Sequence, residues 1–118
     1  MARILAINEE KDFLALLTRL LAHEGHQVTS FHQVEPALEW LQDHRPDLVL
    51  ASGGRQGEKA GKTIRALIQT GLPSAKIFLL TNPGGYVQNY QSLPIKAGQV
   101  ISATLDQEEL IRVINGAV

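Results

Sequence analysis

Arg45-Pro46-Asp47-Leu48-Val49-Leu50-Ala51-Ser52-Gly53-Gly54 is the stretch that decides the fold. Five consecutive residues, Asp47 to Ala51, read as a strand whose apolar run is too short for a helix. A run without alternation suits a strand buried on both faces, as in a parallel sheet. The Gly-rich loop from Ser52 to Glu58 follows it, then a helical pattern from Lys59 to Thr70 with Ile64, Leu67 and Ile68 inward, closed by Gly71. Working outward, the same alternation recurs. Ile4-Leu5-Ala6-Ile7 is a second apolar run. Lys11 to Glu24 is helical, with Phe13, Leu16, Leu17, Leu20 and Leu21 expected on one face and Gly25 as its terminator. Gln27-Val28-Thr29-Ser30-Phe31 is a more polar strand, suited to a sheet edge. Val34, Leu38 and Leu41 mark a helix that tolerates Pro36 in its first turn.

On the other side lie a strand from Lys76 to Leu80 and a loop at Asn82-Pro83-Gly84-Gly85. A short helix is expected from Tyr86 to Ser92, then a strand from Gln99 to Ser102. The last helix runs from Asp106 to Asn115, where Asp106-Gln107-Glu108-Glu109 forms a capping-box pattern. Apolar strands alternating with helices imply an α/β domain, a parallel sheet with helices on both faces. With 118 residues the chain fits one domain, residues 1–118, and is too short for an eight-fold barrel. A flavodoxin-like five-stranded order, 2-1-3-4-5, is the expected topology. Such a domain can equally be one piece of a longer chain.

Composition narrows the chemistry. A net charge of −1 gives no electrostatic footprint for nucleic acid or an anionic membrane. The absence of cysteine removes disulfides and thiolate chemistry. No run reaches the ~18 apolar residues of a membrane span, and the start has no secretory h-region, so a cytoplasmic setting is expected.

Ligands of open parallel sheets bind at the carboxyl ends of the strands. Here those ends are Asn8-Glu9-Glu10, Ser52-Gly53-Gly54, Thr81-Asn82 and Ala103-Thr104. Taken with their strands, these runs resemble the receiver domain of bacterial response regulators (the CheY-like family). Arg3 to Glu10 resembles the first strand and its acidic pair. Arg45 to Leu50 resembles the run into the phosphoacceptor aspartate. Leu79-Leu80-Thr81 resembles the fourth strand with its Thr or Ser, and Ala103 to Leu110 the Lys-Pro motif and the final helix.

The resemblance covers the whole chain and breaks at the chemical positions. A receiver needs a carboxylate nucleophile, Mg²⁺ held by oxygen ligands, and a lysine and hydroxyl on the phosphoryl oxygens. The acceptor position here is Ser52, whose hydroxyl cannot form an acyl phosphate. The acidic pair is Asn8-Glu9, the lysine position is Ala103, and Thr81 alone keeps its type. The aromatic switch position falls near Val100. The loop Gly53 to Gly61 lacks the usual proline. The resemblance therefore implies a degenerate pseudo-receiver: no enzyme, no cofactor, and a phosphorylation-independent protein–protein interaction module in bacterial two-component signalling. A small-ligand or nucleotide-binding domain, or an enzyme using the loops at Ser52 and Thr81, is the alternative. A receiver that still titrates Mg²⁺ is a third.

Other features have plainer readings. Gly57 to Thr63 imitates a P-loop, but Gln56 stands where its first glycine belongs and the motif follows the wrong strand. Arg55, Lys59, Lys62 and Arg65 make either a solvated face or a dock for an acidic segment. His23 and His26 flank a helix end, with no third metal ligand, and Trp40 is expected to pack. Glu9 and Glu10 could hold a divalent cation, yet acids before a first helical turn are favoured anyway. The 29 residues from Ile77 to Leu105 contain one charge, Lys96. Depletion of charge with tyrosine present suits an interface core. A protein partner or second copy is thus expected on the fourth-helix, fifth-strand and final-helix face, anchored by Tyr86, Tyr90 and Ile111.

Overall fold

The computed structural model describes residues 2–52, 59–81, 93–102 and 106–118. Five strands form one parallel sheet: β1 (Arg3–Ile7), β2 (Gln27–Phe31), β3 (Leu48–Ala51), β4 (Ile77–Thr81) and β5 (Val100–Ser102), in the order β2-β1-β3-β4-β5. The described helices are α1 (Lys11–His23), α2 (Val34–Trp40), α3 (Ala60–Gln69) and α4 (Gln107–Ala117). The topology is the expected flavodoxin-like one, with the polar strand β2 at an edge. The helix expected at Tyr86 to Ser92 lies outside the described residues.

Period-two alternation divides the core into two layers. From β1, Leu5 and Ile7 point with Val49 and Ala51 of β3 toward α2 and α3, meeting Ala37, Leu41, Ile64 and Leu67. Ile4 and Ala6 point the other way with Leu48 and Leu50, toward Leu14, Leu17 and Leu21 of α1 and Leu110 and Ile114 of α4. Every residue of β3 is buried, as its unbroken apolar run requires.

The helical phase of α1 differs from expectation. Leu14 is buried and Leu16 is 41% exposed. Leu14, Leu17 and Leu21 sit at i, i+3 and i+7, one stripe against the sheet. Leu16 precedes Leu17 by about 100° and so leaves that stripe. In α4, Leu110 and Ile114 form the buried pair, Ile111 is half-buried on their flank, and Val113 is exposed.

The termini of these elements are set by local chemistry. Gly25 has φ +89° and closes α1, its N–H donating to Ala22 O (3.0 Å) while His26 N–H donates to Leu21 O (3.2 Å). That is a Schellman closure, which needs the left-handed conformation glycine adopts cheaply. Asp106 caps α4: its Oδ1 accepts from the Glu109 N–H at 2.8 Å.

Three polar residues fasten elements together. Arg45 donates from Nη1 to Leu41 O and from Nη2 to Thr70 O, both at 2.7 Å, joining the C-terminal ends of α2 and α3. Gln99 is buried before β5. Its Nε2 donates to Ser74 O and Ile77 O, both at 2.7 Å, and its Oε1 accepts from Lys96 N–H at 3.0 Å. His26 accepts from Ala2 N–H at Nδ1 (3.1 Å), so Nε2 carries the proton and donates to Asn115 Oδ1 (2.7 Å). This histidine ties the start of β1 to α4 as well as standing at a helix end.

Candidate functional site

The strand register places the site residues. Ile7 pairs with Ala51, and Ala51 with Leu79. Asn8 and Ser52, one step beyond Ile7 and Ala51, therefore lie level at the rim of adjacent strands. Thr81 ends β4 beside Ser102 of β5. Ala103 lies outside the described residues, as do Tyr86 and Tyr90. The rim holds Asn8, Ser52 and Thr81 on three neighbouring strands, as the sequence implied.

Asn8 and Ser52 are both buried, at 2% and 7% exposure. The Asn8 N–H donates to Phe31 O (3.1 Å), prolonging the β1–β2 ladder by one residue. Its Oδ1 accepts from the Glu10 N–H at 2.9 Å, a side-chain turn that sets the entry to α1. The carboxamide thus has a structural task where the family resemblance implies a charged metal ligand. Glu10 is the residue before α1 and is exposed. Glu9 is exposed too, and its Oε1 pairs with Lys59 Nζ at 2.6 Å. Lys59 stands at the entrance of α3, so one ion pair links the loop after β1 to the loop after β3. A divalent cation approaching Glu9 would compete with that ammonium. Among the described residues no group of three or more His, Cys, Asp or Glu is placed to share a metal ion.

Beside Asn8 and Ser52 opens a cavity of about 270 Å³. Its floor is Ile7, Asn8 and Ser52. One wall is α2 and the residues before it, with His32, Val34, Glu35 and Leu38. The other is a single stripe of α3, Lys59, Lys62, Thr63 and Ala66, spaced i, i+3, i+4 and i+7. Thr81 is not among its walls. The sequence reading had noted Lys59 and Lys62 as a basic patch. Thr63 enters the sequence reading only through the discounted P-loop pattern, although its spacing from Lys59 and Lys62 puts it on their stripe, and Glu35 and His32 carry no sequence signal. Trp40 lines no part of this cavity: it stacks on His44 with ring centroids 4.4 Å apart and tilts against Phe31 at 6.4 Å.

The strand order, the covered faces and a polar rim at the carboxyl ends together decide the architecture. The fold is that of a receiver domain. Among solved structures, a two-component response regulator from Clostridium difficile matches with a TM-score of 0.76 at 17% identity, covering 99% of this chain and 95% of that one. The chemotaxis response regulator CheY4 of Vibrio cholerae matches at 0.75 and 16%, covering 100% and 99%. The N-terminal domain of a response regulator/sensory box/GGDEF protein from Carboxydothermus hydrogenoformans matches at 0.74 and 22%, covering 98% and 92%. No protein-family model matches the chain, and no curated protein matches it. At these identities the receiver likeness is one of fold. Among the described residues, no helix is long and apolar enough to cross a membrane.

Proposed function

We propose that this chain is a pseudo-receiver: a receiver-fold module of bacterial cytoplasmic signalling that acts by binding a protein and does not accept a phosphoryl group. The observation that carries the reading is Ser52, buried at the rim of β3 where the resemblance puts the acceptor carboxylate. A serine oxygen gives a phosphate ester rather than an acyl phosphate, and it is a poor nucleophile without a base. The neighbouring positions support this. Asn8 contributes a neutral amide already used in a turn, and Glu9 is held by Lys59. The resemblance places the phosphoryl-gripping lysine at Ala103, which has no charge to offer.

The partner surface we assign is the side carrying α4, β5 and the charge-poor stretch before it. Tyr86, Tyr90 and Ile111 are its proposed anchors; the exposed Val113 lies two residues on, on the opposite flank of the buried Leu110–Ile114 stripe. A small-ligand module is the second reading, and the cavity beside Ser52 is the observation in its favour.

The experiment is incubation with acetyl phosphate or phosphoramidate and Mg²⁺, followed by intact-mass measurement. The expected mass is unchanged. Ser52→Asp alone should also remain largely unmodified, because Asn8 and Ala103 still supply no charge. A labile adduct of one phosphoryl group on the parent chain overturns the proposal.

A further inference from the structure

We propose that the cavity between α2 and α3 is a binding site for a small zwitterion, an α-amino acid with an aliphatic side chain. Its position comes first. The sheet order reverses direction between β1 and β3, and the cavity floor is the carboxyl end of these two strands. That crevice is where open α/β sheets take ligands. The second observation is Thr63, which lines the cavity and is only 6% exposed. Its hydroxyl has no hydrogen-bond partner among the described residues. Thr18 Oγ1 is also unpartnered, but protein seals it off; the hydroxyl of Thr63 stands at a cavity wall. Unlike Thr18 Oγ1 it is open to the cavity, where water meets it and a ligand oxygen can take the place of that water.

Charge then names the ligand class. Glu9 and Lys59 neutralise each other. Lys62 on the α3 wall and Glu35 on the α2 wall have no ion-pair partner among the described residues. Among the described lining residues this leaves one exposed ammonium, Lys62, and one exposed carboxylate, Glu35, outside the Glu9–Lys59 pair. The first turn of α3 carries no acid, and helix first-turn amides favour a negative group. A ligand carboxylate belongs against Lys62, Thr63 and this helix start, and a ligand ammonium against Glu35. A simple anion would meet Glu35, and a simple cation would meet Lys62. Val34, Leu38 and Ala66 leave an apolar lining for an aliphatic body. The volume is many times the ~10–15 Å³ that one water needs, so a molecule of amino-acid size can enter.

The test is a ¹H–¹⁵N NMR titration of the whole chain with the standard amino acids at millimolar concentration. Beside leucine run 4-methylpentanoate, which lacks the ammonium, isoamylamine, which lacks the carboxylate, and inorganic phosphate. At least one aliphatic amino acid should shift resonances of α2 and α3 with a Kd in roughly the high-micromolar to millimolar range, in line with ligand-efficiency bounds. Neither half-analogue nor phosphate should match it. Thr63→Val, which keeps the shape and removes the hydroxyl, should weaken binding roughly tenfold. Glu35→Gln, at an exposed position, should weaken the amino acid and leave 4-methylpentanoate unaffected or bound better. Silence from every amino acid overturns the proposal, as does equal binding by a half-analogue or by phosphate, or binding untouched by both variants. It is independent of the pseudo-receiver reading: a phosphoryl adduct at Ser52 would leave it standing, and an inert amino-acid panel would leave that reading standing.

Discussion

Gln99→Met should lower the stability of this domain by about 2–4 kcal/mol, since three neutral hydrogen bonds of about 1 kcal/mol each are lost with little change in volume. The side chain is 9% exposed, and its carboxamide serves the Ser74 and Ile77 carbonyls and the Lys96 amide at once. It thereby joins the turn before β5 to the start of β4. For a chain of this size each kcal/mol moves the melting midpoint by about 4 °C, so the expected drop is about 8–16 °C. Urea unfolding checks it, with the midpoint falling and the slope unchanged. Gln99→Glu makes the sharper comparison. The new carboxylate would face two carbonyl oxygens inside the protein, which raises its pKa in the folded state. Its folded pKa then exceeds the unfolded value of about 4.3, so the deficit is small below that pH and grows as pH rises through the folded pKa. A loss under about 1 kcal/mol for Gln99→Met, or a Gln99→Glu deficit that does not grow with pH, refutes the bridging role.

The central strands should tolerate truncation poorly: Leu50→Ala, Ile7→Ala or Leu79→Ala should each cost about 2–5 kcal/mol by chemical denaturation, since each side chain is at most 4% exposed. Asp106→Ala removes the one described side-chain cap of α4 and should cost about 0.5–2 kcal/mol, with Asp106→Asn recovering most of it in the same melts. Ile111→Glu should weaken association by sedimentation while thermal unfolding stays cooperative. Because Ile111 is half-buried, it should also lose more stability than Val113→Glu, and the reverse order would mean α4 is rotated from its described phase.

The fold was legible because its signals are local and redundant. Four of the five strands are short apolar runs, the fifth is polar in keeping with its edge position, and Gly25 and Gly71 mark helix ends at φ +89° and +97°. The capping of α4 by Asp106 could be read directly from spacing. The phase of α1 could not, because six leucine and phenylalanine positions offer two overlapping stripes, and packing on β1 chose the one through Leu14. The rim was legible through resemblance, which brought Asn8, Ser52 and Thr81 to neighbouring strand ends. The cavity was not. Its walls come from Glu35 and Thr63, 28 positions apart, and their meeting depends on how two helices settle across a sheet. Arg45 and Gln99 were equally silent, since a side chain that serves distant carbonyls leaves no periodicity behind.

Arg45 also has a mechanical consequence. Its two donors grip the carbonyl ends of α2 and α3, while the cavity lies between their beginnings. The pair is a calliper pinned at one end. Any relative motion of the two helices is converted into rotation about the pin, and displacement grows with distance from it. The ten residues of α3 span about 15 Å, so a 10° swing opens the far end by about 2.6 Å while the pinned end hardly moves. The far end of α3 is itself seated by the buried Ala60 and Ile64, so parting the two helices beside Asn8 and Ser52 would draw these side chains off the sheet while Leu41, Leu67 and Leu72 near the pin stay in place.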